Sequence, residues 1–270
     1  MRLDPDWLAS VRARASQSPV RPRVPLWAGE AQIGSVEPGF LRQPALRPLS
    51  EGPHAVLQER GGEHSGWYLL GDVTASLDRV ACALREVGLS GAWRDEQLAV
   101  NDQHGQRQGT VERAAVRLLG IATHAVHLVG VTSDGRVWVQ QRAFNKPTDP
   151  GLWDTLVGGM VPADETLDNA LARETWEEAG LRLGEMQALR QGGRLTVCKP
   201  SSDGAGAGYM REEIDWSLCT VPDGITPINQ DGEVAQFALM EREELVHTLQ
   251  RDSFTLEAAL MLAEVINRKP

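Results

Sequence analysis

Several kinds of residue are scarce in this chain, and each scarcity excludes something. There are three cysteines in 270 residues. Cys82, Cys198 and Cys219 are odd in number and widely spaced, which fits neither a disulfide framework nor a thiolate zinc site and suits a reducing, cytoplasmic setting. No apolar run approaches the roughly eighteen residues that a membrane-spanning helix needs. The opening stretch carries Asp4 and Asp6 where a secretory leader would place basic residues before an apolar core. Lysine is rare: with only Lys146, Lys199 and Lys269, arginine supplies nearly all of the 27 basic side chains. Against these stand 37 acidic residues, a net charge of −10. A surface that acidic repels a phosphate backbone, so neither a nucleic-acid polymer nor a membrane is expected as partner.

What remains is ordinary for a soluble globular chain, with 41% hydrophobic and 24% charged residues,. The length suits one large or two compact domains. Trp7, Leu8 and Val11 share one face of a short N-terminal helix reaching to about Ser18,. Prolines and glycines from Pro19 to Pro53 exclude long helices, and VPLWAG and AQIGSV read as a strand pair around Gly29-Glu30,. GWYLLG (Gly66 to Gly71) reads as a strand. Leu77, Val80, Ala81, Leu84 and Val87 form a helical stripe from Thr74 that stops at Gly88,. Glu112 to Gly120 is expected to be a second helix, with a domain boundary near residue 115. Beyond it, HAVHLVGVT and RVWVQQR flank Ser133-Asp134-Gly135 as a hairpin,. LWDTLVGG, a helix, strands around RLTVCK, DWSLCTV and EVAQFALM, and a last helix from about Phe254 to Asn267 complete the reading. Gly204 to Gly208 (GAGAG) is expected to be a flexible loop tip. Strands and helices mix without a regular alternation, which favours an α+β fold or an α/β/α sandwich over a doubly wound parallel sheet.

The chemistry concentrates in Gly159 to Leu181. Thr166 can cap a helix beginning at Leu167, and Gly180 can end it,. Glu174 lies three and four residues before Glu177 and Glu178, so the three carboxylates reach one patch of helix surface. Like charges at those spacings, near a helix C-terminus, destabilise the helix. Divalent cations relieve that cost, and Mg²⁺ and Mn²⁺ take carboxylate oxygens while bridging to substrate phosphates.

The segment resembles the Nudix box, Gly-x5-Glu-x7-Arg-Glu-U-x-Glu-Glu-x-Gly-U. Gly159, Glu165, Arg173, Glu174, Glu177, Glu178, Gly180 and Leu181 fill its places, and Thr175 stands at the first, usually aliphatic, U position. The resemblance implies a Nudix α/β/α sandwich with a mixed sheet (residues 116–270), preceded by a smaller α+β domain (residues 1–115). It further implies a metal-dependent hydrolase that opens a diphosphate bond in a small molecule. QQRAFNKPTDPGLWDTLVGG, Trp93-Arg94-Asp95-Glu96, Glu112 to Ala115, Gly120-Ile121 with Val126-His127-Leu128, and Asp231 to Val234 are similar to the Nudix branch associated with thiamine pyrophosphokinase. That likeness implies thiamine diphosphate or its damaged, oxidised analogues as substrate.

On this resemblance Gly159, through its backbone carbonyl, and Glu174, Glu177 and Glu178 are expected to hold Mg²⁺ or Mn²⁺. Glu177 or Glu178 is expected to act as base, and Arg173 to orient a box carboxylate, with Glu165 its candidate partner. Arg142 and Lys146 are candidate phosphate-binding cations. Glu212, Glu213 and Glu233 are candidates for a further loop carboxylate, with Glu233 chosen because it precedes an apolar strand. Trp138 and Trp153 are expected in the core, and His124 and His127, on opposite faces of a strand, as structural. Alternatives are a hydrolase of nucleoside-diphosphate-linked substrates, a non-catalytic metabolite sensor, or an isomerase like those acting on isopentenyl diphosphate. The last needs a cysteine where this chain has Val157-Gly158-Gly159-Met160. The N-terminal domain is expected to select substrate, to stabilise the fold or to build a homodimer.

Overall fold

The computed structural model describes residues 2–268. It opens with α1 (Pro5–Arg14), whose Asp4 cap accepts the Asp6 N–H,. A β-hairpin of β1 (Val24–Ala28) and β2 (Ala31–Val36) turns at Gly29-Glu30, and β4 (Gly66–Leu69) lies parallel to β1, with β3 (Leu57–Arg60) on its other side. Helix α2 (Val73–Glu86) buries the expected stripe of Leu77, Val80, Ala81 and Leu84. A second hairpin, β5 (Gln97–Asn101) with β6 (Arg107–Glu112), packs beside it.

The rest is built on one mixed sheet. Its strands are β7 (Thr123–Val131), β8 (Val137–Arg142), β9 (Trp153–Asp154), β10 (Val157–Met160), β11 (Gln187–Ser201), β12 (Gly208–Thr220) and β13 (Val234–Met240). The order is β11-β12-β7-β8-β13, with β10 added to β7 and β9 to β8; β12 runs parallel to β7 and the other pairs are antiparallel. Helix α3 (Leu167–Ala179) buries Ala170 and Leu171 with Val126, Leu128 and Val157 on one face. On the other face, α5 (Arg242–Leu249) and α6 (Leu256–Asn267) bury Leu245, Val246, Met261 and Leu262 against Val129, Ile214 and Trp216. The expected α+β architecture, a mixed sheet between helices, is what the chain forms. Val11 of α1 joins this second core rather than that of the N-terminal sheet. Among the described residues no helix is long and apolar enough to cross a membrane.

Two expectations give way. Glu112 to Gly120 is not an α-helix: only Arg113–Ala115 forms a 3₁₀ turn. Glu112 is drawn into β6 opposite Gln97, and the residues after it form mixed turns, with the Val116 N–H on the Arg113 carbonyl, Gly120 on Arg117 and Ile121 on Val116, instead of a regular i to i−4 ladder,. The GAGAG tip is docked rather than free. Its single turn α4 (Asp203–Gly206) has left-handed backbone at Gly204 and Ala205, and a Cβ on Gly204 would collide with Leu118. Strands β3, β5 and β6 and helix α5 carried no clear signal. In β3 only Leu57 is buried, so no alternation marks it.

The two parts meet beside α3. Leu98 of β5 bridges to Pro162, the Ala163 N–H donates to the Gln97 carbonyl (2.7 Å), and Arg107 reaches the Ala163 carbonyl (3.0 Å). The N-terminal hairpin is therefore fastened to the loop that leads into the acidic helix.

Candidate active site

Helix α3 begins and ends as the sequence requires. Thr166 Oγ1 accepts the Asn169 N–H, and Gly180 closes the helix with φ +64°,. Its last carbonyls are covered from outside: the Ile228 N–H donates to Ala179 and the Gln230 N–H to Glu177. Those bonds fold the segment leading to Asp231 and Glu233 back over the end of α3, beside the box carboxylates.

The carboxylates are arranged around two centres. The first is the Arg173 guanidinium. Its Nε donates to both oxygens of Glu165 (3.0 and 3.1 Å), and Nη1 donates to Glu174 (2.9 Å) and Glu177 (2.8 Å). Burial opposes the charge on Arg173, but the bonds from Glu165 and the nearby Glu174 and Glu177 outweigh it and raise its pKa,. The expected Arg173–Glu165 pair thus exists and extends to two more carboxylates. Glu174 lies flat against the strand before the helix, where a Cβ on Gly159 would collide with its carboxylate. That position accordingly holds glycine.

The second centre is Glu178, which is 1% exposed. One oxygen accepts from Gln140 Nε2 (2.8 Å) and from the Gly158 N–H (2.9 Å); the other faces Lys146 Nζ at 3.6 Å. Lys146 also pairs with Glu233, linking the loop carboxylate to the helix. Burial raises the Glu178 pKa to about 8 despite Lys146, Gly158 and Gln140. Burial likewise raises Glu174 to about 7 against the pull of Arg173. For Glu233 burial works upward, but the bond and charge of Lys146 prevail and its pKa falls below the usual value. Removal from water thus outweighs the nearby cations at two carboxylates on one helix end.

Other candidates lie elsewhere. Arg142 donates to the Thr148 carbonyl (3.0 Å from Nη2) and to Asp154 (3.3 Å), so its fork shapes the loop after β8 instead of facing the carboxylates. Glu212 is buried on the sheet's other face, near Glu257 and accepting from Thr123 (3.0 Å). Glu213 pairs with His124 in the β12–β7 register. His127 is buried and bonded to Thr155 (2.8 Å), and burial lowers its pKa, which keeps the ring neutral. Trp138 and Trp153 pack against the two cores. Sequence reasoning missed Gln140; its signal was its place on a strand two residues before Arg142, on the same face. Among the described residues no three acidic, imidazole or thiol groups are already gathered as a cage, because Arg173 stands between Glu174 and Glu177.

The family model for the NUDIX domain matches residues 122–263. The chain belongs to the Nudix family. It is 30% identical to Nudix hydrolase 20, chloroplastic, of Arabidopsis thaliana over 148 residues, 54% of this chain and 38% of that protein. An uncharacterized protein of Saccharomyces cerevisiae is 26% identical over 201 residues, 68% of this chain and 58% of its own. That share exceeds the Nudix segment, so the likeness reaches into the N-terminal part. The chain thus spans only about 38% to 58% of the length of these relatives. An isopentenyl-diphosphate Delta-isomerase of Kocuria rhizophila is 26% identical over 164 residues, 57% of this chain and 83% of that enzyme. A solved Deinococcus radiodurans structure superposes with a TM-score of 0.51 at 19% identity, covering 64% of this chain and all of that one. It shows the shared fold.

Proposed function

We propose that this Nudix chain hydrolyses the diphosphate bond of a small organic diphosphate. The observation that carries this reading is the pair of carboxylates Glu174, half-buried, and Glu178, buried, set on one helix end against the glycine strand Gly158-Gly159. The donor set fits a hard divalent cation, with all-oxygen ligands from Glu174, Glu177, Glu178 and the Gly159 carbonyl. Mg²⁺ or Mn²⁺ would, when bound, neutralise phosphate oxygens and polarise the P–O–P link.

The chain's own groups would do the rest. Arg173 holds Glu165, Glu174 and Glu177 in fixed rotamers, so it is a positioning residue. Water attacks phosphorus, the bond to the bridging oxygen breaks, and a monophosphate and a phosphate leave. The proton from water passes to a carboxylate, a role worth about 10²–10⁴-fold. Glu177, whose side chain is 42% exposed, and Glu233, 47% exposed, are the open candidates for it. Lys146, already between Glu178 and Glu233, can exchange a carboxylate for a phosphate oxygen.

Within this class we favour thiamine diphosphate or its oxidised analogues, on the likeness of the Trp93 to Glu96 stretch and the segments around it. A nucleoside-diphosphate-linked substrate is the alternative. Turnover with Mg²⁺ should be compared on thiamine diphosphate, oxidised thiamine diphosphate, ADP-ribose and dinucleoside polyphosphates. Preference for a thiamine compound supports the reading, and clear preference for a nucleotide removes it while keeping the hydrolase. The isomerase likeness has no chemical support at the site, since β10 holds no cysteine and Cys219, the cysteine nearest α3 in its core, is buried with its pKa pushed up to about 12.

A pH effect follows from Glu178. Its folded pKa of about 8 exceeds the ordinary 4.5, so between those values the folded, metal-free protein binds a proton that the unfolded chain has lost. Its contribution to stability is full below about pH 4.5 and disappears as pH rises through about 8. Metal-free melting temperature should therefore fall as pH rises across this window, and millimolar Mg²⁺ should raise it more at the alkaline end, where the ligands are ionised. Equal Mg²⁺ shifts at both ends would count against these ligands.

A further inference from the structure

The loop Trp93 to Glu96 is held by unusual means. Glu112, a carboxylate only 1% exposed, accepts the N–H groups of Arg94 (3.0 Å), Glu96 (3.2 Å) and Ala114 (3.3 Å). Trp93 Nε1 donates to Asp95 (2.7 Å), and Asp95 itself has φ +56°, a left-handed backbone uncommon outside glycine. Arg113 closes the other side: its N–H donates to the Glu96 carbonyl (2.9 Å) and its guanidinium to the Glu96 carboxylate (2.7 Å). A buried charge is costly unless hydrogen-bonded, and here two of its three bonds fix one surface loop in a strained shape. Strain of that kind clusters where position matters to function.

All this fixes the backbone that carries Arg94, whose side chain is exposed and has no hydrogen-bond or ion-pair partner among the described residues. The loop's neighbour Gln97 accepts the Ala163 N–H, two residues before Glu165, the partner of Arg173. The positive charges of Arg113 and Arg94 also act, after Lys146, to lower the pKa of Glu233. An exposed guanidinium on a fixed backbone is therefore carried by the loop that docks at Ala163, next to the box, and it comes from outside the Nudix segment.

We propose that Arg94 is a substrate-contacting residue through which the N-terminal domain grips a phosphate oxygen of the diphosphate. The proposal rests on the diphosphate-hydrolase reading above and adds the residue that makes the N-terminal domain part of the site. A guanidinium fork matches phosphate in two parallel bonds, which an ammonium does not reproduce.

The test is calorimetric binding of methylenediphosphonate, a non-hydrolysable diphosphate, with Mg²⁺, to the wild type and to Arg94→Gln, Arg94→Lys and Glu178→Gln. Melting temperatures confirm folding. Arg94→Gln should weaken binding about tenfold, with Arg94→Lys between it and the wild type. On the best substrate of the panel, kcat/KM should fall by a similar factor, mainly through KM. If Arg94→Gln binds within about twofold of wild type while Glu178→Gln does not bind, the proposal is overturned and the hydrolase reading stands. If the wild type neither binds the analogue nor hydrolyses any diphosphate, both are overturned.

Discussion

Glu178→Gln is expected to reduce kcat/KM by about 10³-fold without loss of fold. The amide keeps the shape, and its oxygen can accept the Gln140 and Gly158 donors that now reach Glu178. What it cannot supply is a full negative charge for a cation. Burial already drives Glu178 toward its neutral form, so the neutral amide should leave metal-free stability equal or higher. Loss of activity with retained or raised melting temperature is the combined signature. Steady-state kinetics beside thermal unfolding read both, and wild-type turnover in the folded variant would dismiss Glu178 as a ligand.

Arg173→Ala is expected to damage both properties. The change removes the donor shared by Glu165, Glu174 and Glu177 and leaves those carboxylates repelling one another at the end of α3. Breaking a buried pair costs about 3–5 kcal/mol. Arg173 is 29% exposed, so solvent screening reduces the expected loss to about 2–3 kcal/mol. Activity should fall by roughly two orders of magnitude as the carboxylates lose their rotamers. Arg173→Lys should restore little, because one ammonium cannot serve three carboxylates in this geometry. Chemical denaturation measures the first effect, and a lysine variant close to wild type in both assays would reduce Arg173 to a simple counter-charge.

The acidic helix was legible because its signals are local. Thr166, Gly180 and the glutamate spacing act within a few residues of one another, and a cap or a left-handed turn leaves its mark on the residue type at that place. Gly159 was legible as a box position, although its physical reason, the carboxylate of Glu174 lying against it, appears only in three dimensions. Arg142 misled because a cation on a strand end before the box looks free in sequence. Its partners, the Thr148 carbonyl and Asp154, are brought to it by the loop and by β9. Glu112 to Gly120 misled for a related reason: its apolar spacing is helical, but its first residue is paired with Gln97 of β5 and the rest form mixed turns. Strand β3 was hidden by its three exposed residues, and the docking of β5 beside Pro162 and Ala163 by being a contact between two parts of the chain that no local pattern encodes.

All of these roles depend on a divalent cation at Glu174 and Glu178. Mn²⁺ binding followed by electron paramagnetic resonance, on the wild type and on the Glu174→Gln/Glu178→Gln double variant, tests this most directly. The wild type should bind Mn²⁺ at submillimolar concentration, and the double variant at least about tenfold more weakly while keeping its melting temperature. Equal binding by both proteins, or none by the wild type, would contradict the account.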